Sequence, residues 1–304
     1  MGPEQQIQSP EEHTLDFLCI GAQKSGTTFI TTALRRHPDI QLPDSKELYY
    51  FSPIGEYKEK ANFSQCNFGK SPDWYMDQFE RDDRKCGEIS THYLFDADCA
   101  ARIKAAFPDV KLFAILRNPV DRAFSQYNME RHKTVKETRP LLKIINDEPE
   151  NEILRRGLYY QQLIAFAEDF WPGQLRVYTF EEMINDPASF FEELFAYIGV
   201  DASFCPPATE KRMNKSRRTR FPIIPKAIRI TRHSLEAIGL GSIVAISNNL
   251  GAGALLRRFN HTYNQVPIDF RLSAEERSAL QQFYAEDISK LEGFLDRSLA
   301  IWNQ

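Results

Sequence analysis

Along the chain, short apolar runs alternate with longer stretches in which apolar residues recur every three or four positions. Four runs have strand length: "LDFLCI" (15–20), "CGEIS" (86–90), "KLFAILR" (111–117) and "LRVYTF" (175–180). The amphipathic stretches between them predict helices at about 27–36, 97–107, 119–132, 152–169 and 188–198. Strands alternating with helices imply βαβ units, hence an α/β fold with a mainly parallel β-sheet flanked by helices. Neither an internal repeat nor a low-complexity linker interrupts the pattern, so residues 14–304 are expected to form one domain. From 211 the pattern changes: "KRMNKSRRTRFPIIPKAIRI" is basic and then interrupted by proline. Further on, Ser273 and Glu276 form a capping box ahead of an amphipathic helix. Residues 211–304 are therefore expected as a lid loop and C-terminal helices packed on the core.

Composition narrows the function classes. The 304 residues are 42% hydrophobic, which suffices for one large α/β core, and the net charge of −4 argues against a general nucleic-acid binder. Any basic site must be local. Five cysteines without a C-x-x-C spacing favour a reducing compartment over a zinc site, leaving one Cys66–Cys86 bridge open. The polar opening "MGPEQQIQSPEEH" is expected to be a flexible tail over 1–13, and no run of about 18 apolar residues predicts a membrane span. The expectation is a soluble, cytoplasmic protein.

Chemistry concentrates first at "LDFLCIGAQKSGTTFI", a strand, a turn and a helix start. Gly21 and Gly26 permit tight backbone, Thr27, Thr28 and the N–H groups of the first helical turn face an anion, and Lys24 adds positive charge. A loop for ATP or GTP carries its lysine directly after the second glycine, where this chain has Thr27. The strand that would supply an aspartate for Mg²⁺ ends instead in Arg117. The loop thus reads as a phosphate site without a metal. A nucleotide kinase or NTPase-like phosphoryl transferase, and a non-catalytic nucleotide-binding module, are the alternatives.

A second anion site is predicted in "AILRNPVDRAFSQYNMER". Arg117 stands at the carboxyl end of a strand, where α/β sheets bind ligands, and Asn118 with Pro119 starts a helix. Ser125 lies about two turns along that helix, on roughly the face of Arg122.

"QKSGTT" followed by "LRNPVDRAFSQY" resembles the paired nucleotide motifs of sulfotransferases that use 3′-phosphoadenosine 5′-phosphosulfate (PAPS) and release the desulfated nucleotide (PAP). The segments "HPDIQLPDSKELYYF", "PDWYMDQF", "GEISTHYLF", "RGLYYQQLIAF" and "VYTFEEMINDPASFFEELFAYIGV" follow the order of the bacterial and Golgi-type carbohydrate branch, covering most of 15–200. The resemblance implies a P-loop, nucleotide-kinase-like fold that needs no metal. It places the 5′-phosphosulfate on Lys24, Ser25, Gly26, Thr27 and Thr28, and the 3′-phosphate on Arg117 and Ser125. The basic run at 211–220 is similar in position to a loop that closes over the 3′-phosphate and adenine, which makes Arg217, Arg218 and Arg220 candidates. The Arg-Lys-Gly signature of the small-molecule branch is absent there.

Transfer to a hydroxyl also needs a base. In "SKELYYF", Glu47 resembles the base of the glycan-modifying branch, and Lys46 beside it is placed to steady the sulfonyl oxygens. His92 in "ISTHYLF" resembles the base of the small-molecule branch, and both residues stand as candidates. Tyr159 is a further candidate for lining the nucleotide or acceptor site. The implied acceptor is a hydroxylated glycan or small molecule.

Overall fold

The computed structural model describes residues 14–53, 67–80, 82–131, 137–206, 217–219, 265–267 and 271–303. The tail expected over 1–13 and Cys66 lie outside the described residues. Contacts divide the chain into two units, Met1–Lys211 with Leu272–Gln304 and, separately, Arg212–Arg271, where the sequence suggested one domain with 211–304 as lid and C-terminal helices.

The first unit is the expected α/β structure. Its strands are β1 (Phe17–Gly21), β2 (Ile40–Gln41), β3 (Lys85–Ile89), β4 (Lys111–Leu116) and β5 (Leu175–Thr179), all parallel in the order β2-β3-β1-β4-β5. Every side chain of β1 is buried, because helices cover both faces of the sheet. The helices are α1 (Thr27–Leu34), α2 (Pro72–Met76), α3 (Asp98–Ala106), α4 (Pro119–Arg131), α5 (Leu141–Asp147), α6 (Glu152–Arg155), α7 (Tyr159–Phe170), α8 (Phe180–Asn185), α9 (Pro187–Ile198) and α10 (Ala274–Leu295). On one face Leu18, Ile20, Leu112 and Leu116 pack with Ile103 of α3, Phe166 of α7 and Leu291 of α10. On the other, Phe17, Cys19, Phe113 and Ile115 pack with Ile30 of α1 and with Phe191 and Phe195 of α9. A third cluster joins α4, α5, α6 and α10 through Ala123, Ile144, Leu154 and Tyr284. Among the described residues no helix is long and apolar enough to cross a membrane.

Two departures from the sequence reading have local causes. The helix predicted over 152–169 is broken into α6 and α7, because α10 comes so close that a Cβ on Gly157 would stand 2.8 Å from Cε1 of Tyr284. From the same helix Asp287 accepts the Tyr160 N–H at 3.2 Å, capping α7 from outside its own segment. Strand β2 has only two residues, too few to show a period. The capping box of α10 forms as predicted, with the Ser273 hydroxyl accepting the Glu276 N–H and the Glu276 carboxylate accepting the Ser273 N–H.

In the second unit, β6 (Arg217–Thr219) pairs antiparallel with β7 (Gln265–Pro267), Arg218 opposite Val266. The basic segment expected as a loop therefore contains a strand.

Candidate active site

The loop after β1 is tied to the neighbouring strand where the Ala22 N–H donates to the Ile115 carbonyl at 2.9 Å. It turns through two left-handed residues, Lys24 at φ 73° and Gly26 at φ 80°, and Gly26 caps α1. Only glycine fits there, because a Cβ would meet Cε2 of Phe180 and Cε of Met183 at 2.8 Å. The Thr27 and Thr28 N–H groups that open α1 have no acceptor within the helix, the Phe29 N–H already donating to the Gly26 carbonyl at 2.8 Å, so this end carries the partial positive charge of a helix N-terminus. The Ser25 hydroxyl is fully buried and has no hydrogen-bond partner among the described residues. An orphaned hydroxyl beside open N–H groups and two lysines fits the oxygens of a phosphate or sulfate.

The second motif meets the first directly. Arg117 follows β4, and its Nη1 donates to the Lys24 carbonyl at 3.2 Å. The guanidinium lies 4.9 Å from the centre of the Phe180 ring, the ring that also closes over Gly26. Ser125 is half-buried on α4, one turn before Met129, whose sulfur lies 3.6 Å from the Lys24 ammonium. Arg122 instead turns into the core, fully buried, where it donates to the Gln126 side chain at 2.6 Å and to the Ile153 carbonyl.

The backbone around Arg117 is locked by the C-terminal end of the chain. The Asn118 N–H donates to Oε1 of Glu181 at 3.0 Å, and Asn118 Nδ2 donates to the Trp302 carbonyl at 2.6 Å. Trp302 Nε1 completes the ring on Oε2 of Glu181 at 2.9 Å. Burial pushes the Glu181 carboxyl above its usual range. Asn118 caps α4 as predicted, its Oδ1 accepting the Val120 N–H at 3.0 Å. Tyr159 does not line a binding surface: it is fully buried, and its hydroxyl donates to the Arg117 carbonyl at 2.9 Å.

The two candidate bases are neighbours. Oε2 of Glu47 stands 3.7 Å from Nδ1 of His92, and Oε1 accepts the Thr91 hydroxyl at 3.0 Å. Lys46 spans from this carboxylate to the phosphate loop, its ammonium 3.7 Å from Oε1 of Glu47 and 3.1 Å from the Thr27 hydroxyl. Thr28 Oγ1 is 3.5 Å from the same ammonium. Sequence reading missed Tyr49, whose hydroxyl donates to Oε2 of Glu47 and whose ring stands edge-on to His92 at 5.0 Å. It reaches back because its backbone is left-handed, at φ 52°, which no residue pattern announces. Thr91 was missed too, although its place beside His92 in "STHY" was a signal.

The sequence profile of the sulfotransferase family matches residues 16–203, which hold both motifs and both candidate bases. The chain belongs to the sulfotransferase family. A solved sulfotransferase from Alicyclobacillus acidocaldarius is 25% identical, superposes with a TM-score of 0.68, and is matched over 96% of this chain and 100% of its own. The parallel sheet flanked by helices is thus the P-loop-like sulfotransferase fold. The bifunctional heparan sulfate N-deacetylase/N-sulfotransferase 4 of Mus musculus is 28% identical over 206 residues, 62% of this chain and 23% of that protein. The membrane-associated sulfotransferase kil1 of Dictyostelium discoideum is 30% identical over 118 residues, 37% of this chain and 22% of that protein. The chain spans about a quarter of the length of these curated relatives.

In this member of the family, then, Lys24, Ser25, Gly26, Thr27, Thr28 and Arg117 gather at one loop, Ser125 sits on the adjoining helix, and Lys46 joins that loop to Glu47, which faces His92. Arg217 and Arg218 belong to β6 in the other unit, and Arg220 lies outside the described residues.

Proposed function

We propose that the chain transfers a sulfuryl group from PAPS to a hydroxyl of a glycan or small-molecule acceptor, in line and without a metal. The observation that carries this reading is Lys46, whose ammonium stands between the Thr27 hydroxyl of the phosphate loop and the Glu47 carboxylate. Nucleotide end and proton-accepting end are thereby adjacent, which in-line transfer requires.

Bound PAPS would supply the activated sulfuryl group. The Ser25 hydroxyl and the first N–H groups of α1 hold the 5′ end, while Lys24 offsets the charge that develops as the sulfur–oxygen bond to phosphate breaks. Arg117 and Ser125 hold the 3′-phosphate, with Arg117 fixed by the Lys24 carbonyl. Glu47 takes the acceptor proton as the new oxygen–sulfur bond forms. The Thr91 and Tyr49 hydroxyls orient its carboxylate with the His92 ring beside it, and Lys46 neutralises the equatorial oxygens. A carbohydrate acceptor is supported by the heparan sulfate enzymes among the relatives, of which the chain spans about a quarter.

The test is incubation with PAPS and a panel of hydroxylated and amino-bearing saccharides and small molecules, with and without EDTA, following PAP release. Turnover insensitive to EDTA is expected. Metal-dependent consumption of ATP with no use of PAPS would overturn the reading.

A further inference from the structure

Strand β3 carries a glutamate that none of this chemistry uses. Glu88 is fully buried, and four donors converge on its carboxylate. Oε1 receives the Leu48 N–H at 3.1 Å, the Tyr93 hydroxyl at 2.9 Å and the Ser90 hydroxyl, while Oε2 receives the Tyr75 hydroxyl at 2.7 Å. A carboxylate in the core with this many donors is either a device for holding the sheet or a device for holding something else.

The partners decide between the two. Leu48 is the residue after Glu47, and the Tyr93 oxygen that donates to Glu88 accepts the Tyr50 N–H at 3.0 Å and lies 3.5 Å from the Phe51 nitrogen. Three backbone N–H groups of segment 48–51 thus end on the Glu88–Tyr93 pair, and the Leu48 carbonyl is held by Asn67 Nδ2 at 2.7 Å. The segment is no regular element, so it has no ladder of its own to satisfy these groups. Within it Tyr49 is kept in the left-handed region, a conformation that a bulky residue adopts only where the surroundings impose it. That conformation lets the Tyr49 hydroxyl reach back to Glu47.

Glu88 itself is anchored in the sheet, opposite Leu18 of β1, the strand that leads into the phosphate loop. A few residues beyond Glu88, the same run supplies Thr91 and His92 to the Glu47 side chain. We propose that Glu88 is the positioning residue for Glu47: through Leu48 and Tyr93 it holds the base-bearing segment at a fixed height above the nucleotide loop. The proposal rests on the sulfotransferase reading in which Glu47 is the base. Glutamine in its place would remove the charge that strengthens the three hydrogen bonds at Oε1 and turn an amide N–H₂ toward the Tyr75 hydroxyl, which must then accept instead of donate, loosening the segment with almost no change of volume.

The test compares the wild type with Glu88→Gln, Glu47→Gln and the double variant. In Glu88→Gln, kcat with PAPS is expected to fall about tenfold or more while the dissociation constant of PAP stays within about twofold. Added to Glu47→Gln, the same change should lower the residual rate by less than about twofold, because it acts through Glu47. Amide hydrogen exchange at 48, 50 and 51 should quicken about tenfold or more in Glu88→Gln. If Glu88→Gln does not fold, Tyr93→Phe, which removes one hydroxyl from the same route, is read in the same way. Unchanged kcat, unchanged exchange at those amides, or a full additive loss in the double variant each overturns the proposal. Should the wild type itself fail to use PAPS, the functional reading falls, and the exchange measurement alone decides whether Glu88 holds the segment.

Discussion

Glu47 and His92 come from segments 45 positions apart, yet their side chains face each other with Oε2 and Nδ1 3.7 Å apart. Two residues that compete for one role in the sequence are partners in space. With Glu47 as the base, Glu47→Gln should lower kcat by about a hundredfold or more and leave PAP affinity nearly unchanged. His92→Ala, which removes only an orienting neighbour, should cost less than Glu47→Gln. Steady-state rates with isothermal titration of PAP check this, and a Glu47→Gln enzyme at wild-type turnover beside an inactive His92→Ala would reverse the assignment.

In the proposed reading Arg117 grips the 3′-phosphate and no other part of the nucleotide. A hydrogen bond to a charged group is worth about 1.5–3 kcal/mol, so Arg117→Ala should weaken PAP binding about ten- to a hundredfold. Adenosine 5′-phosphosulfate, which has no 3′-phosphate, should lose much less. Equal losses for the two ligands, measured by calorimetry, would place the guanidinium elsewhere.

Gly26→Ala tests the turn between the motifs. The new methyl must displace Phe180 and Met183 from a position where they approach to 2.8 Å, and the residue keeps φ 80°. Left-handed backbone alone costs about 1–3 kcal/mol, so the urea midpoint should fall while the slope of the transition stays constant. PAP affinity should fall with it, since Phe180 also lies under Arg117.

Asp287 gives a pH signature. Burial raises its carboxyl from 3.8 to about 6, against the backbone N–H groups of α7 that pull the other way. Ionising it costs more in the folded chain than in the unfolded one. Its contribution to stability is therefore fully present below the unfolded value near 4 and is lost as pH rises through about 6. Asp287→Asn keeps a carbonyl for those N–H groups and does not ionise. The stability of the wild type minus that of the variant should fall between pH 4 and 6 and be level on either side, as urea titrations would show. A difference that is flat throughout would mean that Asp287 is solvated.

The sheet and the two loops that meet at its carboxyl edge, after β1 and after β4, were legible because their signals are local: apolar runs, a glycine pair, an asparagine before a proline. The break at Gly157 was not legible, since it answers to Tyr284, far along the chain. The acceptor side was half legible. Glu47, Lys46 and His92 stand out as residue types in suggestive neighbourhoods, whereas Tyr49 enters through a left-handed backbone angle beside Leu48, whose N–H ends on a buried carboxylate of β3. Tyr159 looked available for a ligand because an aromatic on a helix is ambiguous until the helix is packed. Its ring went to the core and only its hydroxyl serves Arg117.

The ring of contacts through Asn118, Glu181 and Trp302 has a practical side for anyone handling the protein. The last few residues are wedged beside the arginine expected to grip the nucleotide. A handle joined directly after Trp302 and Asn303 would pull on that wedge, and in the proposed reading its effect would surface as weaker nucleotide binding. Fusions at the opposite end avoid loading that wedge.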